Sequence, residues 1–294
     1  MLSVWLRAIR IKFLLASVIA VSLGLSLSWY AGYTIDIFHA MLTFAGVISL
    51  HASVDLLNDY WDFKRGIDTK TKRTKMSGGT GVLPEGLLKP KSVYLVGIGF
   101  LILGAIIGIY FVTIFGITIG LILGFAILSV YFYSTKIVNW GLAEVFVTIK
   151  GGLIIIGTYF IQTQNIDDFT ILAGIVVGIL SSLVLFVTSI PDHDVDKEKG
   201  RRTLIIIFGK SNAVRTFLIF PILAYGIIIY GVVSGLFPIY SLIVLLAKPF
   251  LILAILNLKD LEKSEKILIS SMTNTLYFSR IAGALFIISF LIGF

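Results

Sequence analysis

The sequence predicts an all-α integral membrane bundle, and three observations support this prediction. The 294 residues are 57% hydrophobic and only 14% charged, with a mean hydropathy of +1.01, far outside the averages of soluble domains. The apolar residues form continuous runs of about 20, the length that a helix needs to cross a bilayer core. Most Lys and Arg residues lie beside the first run or in every second connection between the runs, as in helical membrane proteins. Because the runs do not alternate with period two, the sequence favours a helical bundle over a transmembrane β-barrel.

Nine transmembrane helices are predicted in order along the chain. Short loops near 34–36, 115, 163–168 and 235 join the first span to the second, the third to the fourth, the fifth to the sixth and the seventh to the eighth. Longer charged connections separate the other neighbours. The predicted spans are 11–33, 37–57, 92–114, 116–134, 141–162, 169–190, 213–234, 237–257 and 276–294.

The distribution of basic residues predicts the orientation of the bundle. The four short loops carry no Lys or Arg. The basic residues lie beside the first span and in the other connections, and they include Arg7, Arg10, Lys12, Lys64, Arg65, Lys70, Lys72, Arg73, Lys75, Lys89, Lys91, Lys136, Lys197, Lys199, Arg201, Arg202, Lys210, Lys259, Lys263 and Lys266. By the positive-inside rule, the N-terminus is cytoplasmic and the C-terminus lies outside. This topology explains the net charge of +8, so nucleic acid is not needed as a partner.

We expect a single transmembrane domain over residues 1–294, multi-pass in the cell membrane. The loops 58–91 and 191–212 are predicted to be cytoplasmic active-site loops. The first apolar stretch is longer than the core of a signal peptide and lacks a persuasive cleavage site. The chain has no cysteine, which excludes disulfides and thiolate chemistry. Any reaction must therefore take place in the membrane or at its surface.

Two acidic clusters interrupt the apolar sequence, at 58–68 and 191–196. Asn58 and Asp62 are four residues apart, as are Asp192 and Asp196. On a helix, this spacing places both side chains on one face. Mg²⁺ prefers such oxygen ligands and commonly bridges one or two carboxylates to a substrate phosphate. The clusters therefore predict a site for a phosphate-bearing ligand, with Mg²⁺ as the cofactor.

A polar stripe extends the first cluster into the second span. His51 and Asp55 share a helix face with Asn58 and Asp62, and Ser181, Thr188, Asp192 and Asp196 form a weaker line on the sixth span. Polar faces of membrane helices usually point into the bundle or a wet cavity. For His51 and Asp55, hydrogen bonding between helices explains the stripe as well as a functional role does.

The pattern assigns chemical roles to the acidic residues. The first motif would hold one Mg²⁺ through Asn58 and Asp62, and the second would hold another through Asp192 and Asp196. Asp62 and Asp192 are the predicted catalytic carboxylates, because the metals would neutralise charge on a departing diphosphate. Asp59 and Asp68 are further candidate metal ligands, and Asp194 is a candidate to assist them. The alternative is that these three carboxylates pair with neighbouring Lys and Arg.

Cationic and aromatic residues near the motifs are candidates for the rest of the site. Lys136, Lys72 and Arg201 are predicted to bind diphosphate oxygens, although topology and contact with anionic lipid also explain basic residues here. Tyr133 is a candidate for stabilising a cation or positioning an acceptor, and its alternative role is that of an ordinary membrane aromatic. Lys150 and Lys248 lie inside predicted spans and have no assigned role.

The segment with Gly78, Gly79 and Gly81 has three glycines in four positions. It lacks the strand and the Gly-Lys-Ser/Thr sequence of a phosphate-binding loop. A mobile lid over the site is the better interpretation.

The paired motifs resemble those of the UbiA superfamily of intramembrane prenyltransferases, and the resemblance spans nearly the whole chain. It implies that the chain binds an isoprenyl diphosphate through Mg²⁺ held by the two Asp-rich motifs, and transfers the prenyl group to an acceptor, usually aromatic. The common family pattern has another Asp four residues after Asp62; here Gly66 stands at that position and an Asp follows at Asp68.

The sequence from Asn58 to Asp68, together with 157–163 and 192–204, resembles the branch that prenylates 1,4-dihydroxy-2-naphthoate or related precursors in menaquinone synthesis. The Asn-Arg-Pro signature of the haem O and geranylgeranylglyceryl phosphate branches is missing after the first motif. The resemblance therefore implies a naphthoate-like acceptor. Two alternatives remain: a different branch with a non-naphthoate acceptor, and a membrane transporter or lipid-binding scaffold with an acidic cation site.

Overall fold

The computed structural model describes residues 1–70, 73–74, 76–261 and 263–293, and within these ranges the regular structure is entirely helical. The α-helices are α1 (Leu2–Ala8), α2 (Ile11–Tyr30), α3 (Ile37–Lys64), α4 (Pro90–Phe115), α5 (Ile117–Phe132), α6 (Ala143–Thr163), α7 (Asp168–Thr188), α8 (His193–Glu198), α9 (Leu204–Phe208), α10 (Ala213–Val233), α11 (Lys248–Lys259) and α12 (Glu265–Ile292). Short 3₁₀ helices occupy Ile137–Trp140, Lys210–Asn212 and Ile239–Ala247.

Eight helical segments in the described part of the chain are long and apolar enough to cross a membrane. They correspond to eight of the predicted spans, and they make the chain a multi-pass membrane protein. The remaining predicted span, 116–134, is α5, which has 16 residues. At 1.5 Å per residue, α5 is about 24 Å long, somewhat shorter than the hydrocarbon core.

Three boundaries differ from the sequence prediction for identifiable reasons. Helix α3 runs past residue 57 to Lys64, because Gly66, with φ of +68°, is the first residue to turn the chain. The eighth span is divided into a 3₁₀ segment and α11, because Pro249 near the start of α11 has no N–H to donate. Helix α12 begins at Glu265 rather than near 276. The side chain of Ser264 caps this earlier start by accepting from the Ile267 N–H.

The centre of the bundle is α7, which packs closely against α6. Gly151 and Gly152 on α6 face Gly178 and Gly174 on α7, and a Cβ at Gly178 would collide with the Thr148 carbonyl oxygen. Because these glycines let the backbones touch, the two helices form one closely packed pair. Helices α2, α7, α10 and α12 share the main apolar core. Helices α3 and α7 end at the same end of the bundle, where both acidic motifs lie.

Candidate functional site

A cavity of about 250 Å³ lies at the end of the bundle where α3 and α7 terminate. Its wall is built by α2, α3, α5, α6, α7 and α12, together with the two loops that carry the acidic motifs. Most of the residues predicted from the sequence line this one cavity. They are Asn58, Asp62, Asp68, Asp192, Asp196, Tyr133 and Arg201.

The two motifs meet at Arg201. One guanidinium nitrogen, Nη2, donates to Asp62 Oδ1, and Nη1 donates to Asp196 Oδ1 at 3.1 Å. Both carboxylate side chains are 5% exposed. A single buried arginine thus neutralises one carboxylate from each motif, although the motifs are more than a hundred residues apart. Burial raises the pKa of Asp196 despite this partner.

Asp192 lies in the loop between α7 and α8 and is only half paired. Its Oδ2 accepts a hydrogen bond of 3.1 Å from the Gly78 N–H, whereas Oδ1 is buried with no partner. Burial, with a contribution from the nearby Asp196 carboxylate, raises the pKa of Asp192 to about 7. A buried oxygen without a donor is costly, so this atom is suited to a ligand.

Asn58 connects the first motif to the loop after α5. Ser134 Oγ donates to Asn58 Oδ1, and Asn58 Nδ2 donates to Asp62 Oδ2 at 3.2 Å. Tyr133, the residue before Ser134, lines the cavity. The end of α5 therefore lies against the cavity and the first motif.

Asp59 and Asp68 differ in what they contact. Asp59 accepts from Arg10 Nη2 at 2.9 Å and from the hydroxyl of Thr80, so both of its oxygens are engaged. Arg10 lines the cavity, whereas Asp59 itself does not. Asp68 lies in the cavity wall, where Gly79 packs so closely that a Cβ there would collide with the carboxylate. Burial is the main cause that raises the pKa of Asp68 to about 8, and repulsion from the Asp62 and Asp59 carboxylates adds to it.

The three predicted diphosphate-binding cations are placed differently. Arg201 lies in the cavity. Lys136 is exposed and absent from the cavity lining, with its ammonium 4.8 Å from the centroid of the Phe132 ring. Lys72 lies outside the described residues. Only Arg201 can therefore be placed against the acidic motifs from the structure.

The predicted lid segment (residues 76–88) borders the cavity through residues 76–79 and is held by contacts with helix α1. Arg7 Nε donates to the Thr80 carbonyl at 2.6 Å, and its Nη2 contacts Glu85 at 2.7 Å. The hydrogen bond from Arg7 is the main cause that lowers the pKa of Glu85 to about 2, and a second hydrogen bond from Arg73 contributes. Helix α1 thus holds the lid in place.

Several residues of the site were not predicted from the sequence. Arg65 donates to the carbonyls of Ser134 at 2.6 Å and Lys199 at 3.2 Å, which ties three loops together. Glu144 accepts from the Leu204 N–H at 3.0 Å and so anchors the loop that carries Arg201. Their contacts join distant parts of the chain, which no local pattern reveals.

The deeper half of the cavity contains the polar stripe of α3. Ser17 Oγ and His51 Nδ1 are 2.7 Å apart, and His51 Nε2 lies 3.8 Å from Asp55 Oδ2. Lys150 and Arg280 also line this half. Arg280 was missed, although an arginine inside an apolar span is itself a signal of function. Lys248 is exposed on the outside of the bundle, away from both pockets.

A second, apolar pocket of about 130 Å³ adjoins the polar cavity between α3, α4, α5 and α6. It shares wall residues with the cavity, so the two spaces meet inside the bundle. The shared residues are Ser17, His51, Val54, Val130, Lys150 and Ile154.

The donor set of the cavity fits a hard divalent cation. Asn58, Asp62, Asp192 and Asp196 offer oxygen ligands, and Asp192 Oδ1 is a buried oxygen without a partner. No three His, Asp or Glu side chains within the described ranges form a ready-made cation site. Mg²⁺ commonly takes only one or two carboxylates and completes its shell with water and substrate phosphates, so this arrangement fits Mg²⁺ that arrives with a diphosphate.

The sequence profile of the UbiA prenyltransferase family matches residues 16–292. The chain belongs to this family. The resemblance inferred from the motifs is therefore confirmed, and the protein is a prenyltransferase.

Two curated relatives have the same name. The 1,4-dihydroxy-2-naphthoate octaprenyltransferase of Bacillus subtilis is 30% identical over 230 residues, covering 75% of this chain and 72% of that protein. The enzyme of that name from Escherichia coli is 26% identical, over 84% of this chain and 82% of its own length.

Solved structures share the fold. The apo structure of a UbiA homologue from Aeropyrum pernix K1 superposes with a TM-score of 0.69 at 16% identity, covering 94% of this chain and 97% of that one. A UbiA homologue from Archaeoglobus fulgidus bound to GPP and Mg²⁺ gives a TM-score of 0.63 at 17% identity, covering 96% and 99%. The helical bundle is therefore that of UbiA proteins.

Proposed function

We propose that the protein transfers an isoprenyl group from an isoprenyl diphosphate to an aromatic, naphthoate-like quinone precursor in the membrane, with Mg²⁺ as cofactor and diphosphate as the leaving group. The observation that carries this proposal is one cavity lined by both acidic motifs, next to an apolar pocket with which it shares part of its wall. The names of the Bacillus subtilis and Escherichia coli relatives support the acceptor class, and the Archaeoglobus fulgidus structure with GPP and Mg²⁺ supports the donor and the metal.

Asn58, Asp62, Asp192 and Asp196 would hold Mg²⁺, with Asp68 as a further acidic group in the same wall. When bound, the metal supplies positive charge that neutralises the departing diphosphate. Asp59, whose oxygens are engaged by Arg10 and Thr80, is assigned to holding the lid segment rather than to metal binding.

Arg201 has two roles in this proposal. Without substrate it compensates the buried Asp62 and Asp196 carboxylates. When the diphosphate enters, the guanidinium is released from these partners and can bind phosphate oxygens with its fork of N–H donors. Lys136, in the loop after α5, remains a candidate for the same ligand, and Lys72 is a candidate from the sequence alone because it lies outside the described residues.

Tyr133 lines the same cavity as the two acidic motifs. As the C–O bond to the diphosphate breaks, positive charge develops on the allylic carbon. The face of an aromatic ring attracts such a cation, and the closed bundle excludes water that would capture it. The acceptor then attacks this carbon, and its displaced proton leaves to solvent through the cavity.

The apolar pocket is the proposed site of the prenyl tail. A Cβ at Gly157 in its wall would lie 3.5 Å from Ile122 Cδ1, an ordinary packing distance, so a larger side chain would extend into the empty space. The volume of the pocket would therefore limit the length of the prenyl tail that fits in it.

Gly157→Leu is expected to shift the donor preference towards short isoprenyl diphosphates. The ratio of kcat/KM for a long donor to that for a short donor should fall about tenfold, equivalent to roughly 1.4 kcal/mol. Gly124→Leu on α5 is the matched control, because Gly124 is outside the pocket and a Cβ there meets no atom within 4 Å. An equal fall in kcat/KM with the long and the short donor would contradict the assignment of the prenyl tail to this pocket.

For the topology, we propose nine transmembrane helices with the N-terminus cytoplasmic, the C-terminus outside and the active-site loops 58–91 and 191–212 in the cytoplasm. Helix α5 would be the ninth span, and local bilayer thinning can accommodate its short length. Residues 1–294 would form a single prenyltransferase domain in the cell membrane.

Single cysteines at Lys89 and Ile166, both exposed, are expected to label from opposite sides of the membrane. The chain has no native cysteine, so each label reports one position. An impermeant maleimide added to intact cells should modify the cysteine at Ile166 directly and the cysteine at Lys89 only after permeabilisation. Labelling of both from the same side would contradict the proposed topology.

The function is tested with the protein in lipid nanodiscs, an isoprenyl diphosphate, and a panel of naphthoate, benzoate and glyceryl phosphate acceptors. We expect prenylated naphthoate and stoichiometric diphosphate, complete loss of both with EDTA, and recovery with Mg²⁺. Product only with another acceptor would assign the chain to a different branch of the family. Family membership favours the enzyme over the transporter and the scaffold considered at first.

A further inference from the structure

Two cations in the deeper half of the cavity have no role in the proposed function. Lys150, on α6, has no hydrogen-bond or ion-pair partner among the residues that the structure describes. Arg280, on α12, makes one long contact, from Nη1 to Ser279 Oγ at 3.5 Å, and its buried Nε has no partner. Both side chains line the same cavity. Both side chains are half-buried, and cations placed inside membrane-spanning helices are normally paired.

The neighbouring acidic groups do not compensate both charges. Asp55 is the carboxylate that acts electrostatically on Lys150, but no ion pair joins them. Arg10, the third cation of this region, is already paired with Asp59 at 2.9 Å. His51 is within electrostatic reach of both Lys150 and Arg280. Of these two cations, Asp55 thus acts on Lys150 alone, and no carboxylate among the described residues acts on Arg280, which leaves positive charge for a ligand.

Lys150 stands where the two substrates must meet. It belongs to the walls of both the polar cavity and the apolar pocket. It is seven residues along α6 from Ala143, which places it about 10 Å below the start of that helix. An uncompensated ammonium here would repel the positive charge that develops on the allylic carbon. A negatively charged group on the second substrate would remove that repulsion.

We propose that Lys150 and Arg280 form an anion-binding subsite for a carboxylate on the aromatic acceptor, an inference that rests on the proposed function. The diphosphate is assigned to the cavity mouth, where Asp62, Asp192 and Arg201 lie, so the deeper cations are free for the other substrate. A planar guanidinium matches a carboxylate in a two-point contact. The aromatic ring would then lie between this subsite and the reacting carbon.

The test compares Lys150→Met and Arg280→Met with the unaltered protein on two acceptors, 1,4-dihydroxy-2-naphthoate and 1,4-dihydroxynaphthalene, which differ only in the carboxylate. Each variant should raise the KM for the carboxylate acceptor at least tenfold, and leave the KM for the carboxylate-free acceptor and for the isoprenyl diphosphate within twofold. Lys150→Arg should retain most of the affinity. Lys248→Met, which removes an exposed lysine outside both pockets, is the matched control.

Three outcomes would overturn the proposal. Equal losses with both acceptors would indicate a structural role, and a raised KM for the isoprenyl diphosphate would assign the two cations to the donor. Unchanged kinetics would show that the charges are simply hydrated. If a methionine variant does not fold, Lys150→Gln and Arg280→Gln replace it.

Equilibrium binding separates this inference from the proposed function. Binding of the two acceptors is measured with an uncleavable isoprenyl thiolodiphosphate present, so that no turnover is required. Loss of carboxylate-dependent binding in the variants supports the subsite even if the unaltered protein prenylates neither acceptor, in which case the proposed function fails alone. Turnover by the unaltered protein with unchanged binding in the variants overturns the subsite alone.

Discussion

Asp62→Asn and Asp192→Asn are each expected to reduce turnover more than a hundredfold, a barrier increase of about 2.7 kcal/mol, while the protein remains folded. Each substitution removes one carboxylate from a different motif in the same cavity. Asparagine keeps the size of the side chain and one oxygen, so the loss isolates the negative charge. The measurement is diphosphate release in nanodiscs at saturating Mg²⁺, with size-exclusion chromatography as the folding check.

Asp194→Asn is the control for these variants. Asp194 is close to the second motif but its side chain is 79% exposed and contacts His193 and Lys210. Its replacement should change turnover less than twofold. If Asp62→Asn and Asp192→Asn both retained more than a tenth of the activity, the two motifs would not share one catalytic site.

Arg201→Met is expected to lower both stability and activity. Removing this guanidinium leaves the buried Asp62 and Asp196 carboxylates without their cation, and loss of one partner of a buried ion pair costs about 3–5 kcal/mol. Millimolar Mg²⁺ should restore part of the stability, because a divalent cation compensates the same carboxylates. Thermal unfolding in detergent, with and without Mg²⁺, measures the effect.

Arg202→Met serves as the comparison, because Arg202 is the next residue in the chain and is exposed. It should alter the unfolding temperature and the turnover little. If the Arg201→Met protein were as stable as the unaltered one, the Asp62 and Asp196 carboxylates would not depend on the Arg201 guanidinium for charge compensation. The same outcome with no response to Mg²⁺ would also argue against a metal at these residues.

The helical bundle could be predicted because each span carries its own signal of length and apolarity. The spacing of Asn58 and Asp62 was also local information, and α3 continues through both residues. The second motif was placed on an extension of the sixth span, but α7 ends at Thr188 and a separate short helix begins at His193. Pro191 lies in that break, and it weakens a continuous helix at this point.

The contacts that assemble the site could not be predicted from the sequence. Arg201 joins Asp62 across 139 positions, and Arg7 reaches Glu85 across 78. A single sequence gives the type of each side chain but not which distant partner it meets. For the same reason, Arg10 was interpreted only as a topological flank, and Arg280 received no interpretation at all.

The glycine contact between α6 and α7 has a consequence for how substrate selectivity can change. Lys150 directly precedes Gly151, so the proposed acceptor subsite stands on a wall whose two backbones already touch and cannot move closer. The apolar pocket is lined on its other sides by α3, α4 and α5, and α4 contributes nothing to the polar cavity. Under the proposed function, α4 therefore borders the donor tail but not the acceptor subsite. Substitutions on α4 are expected to change the length of the accepted tail while the acceptor geometry stays constant.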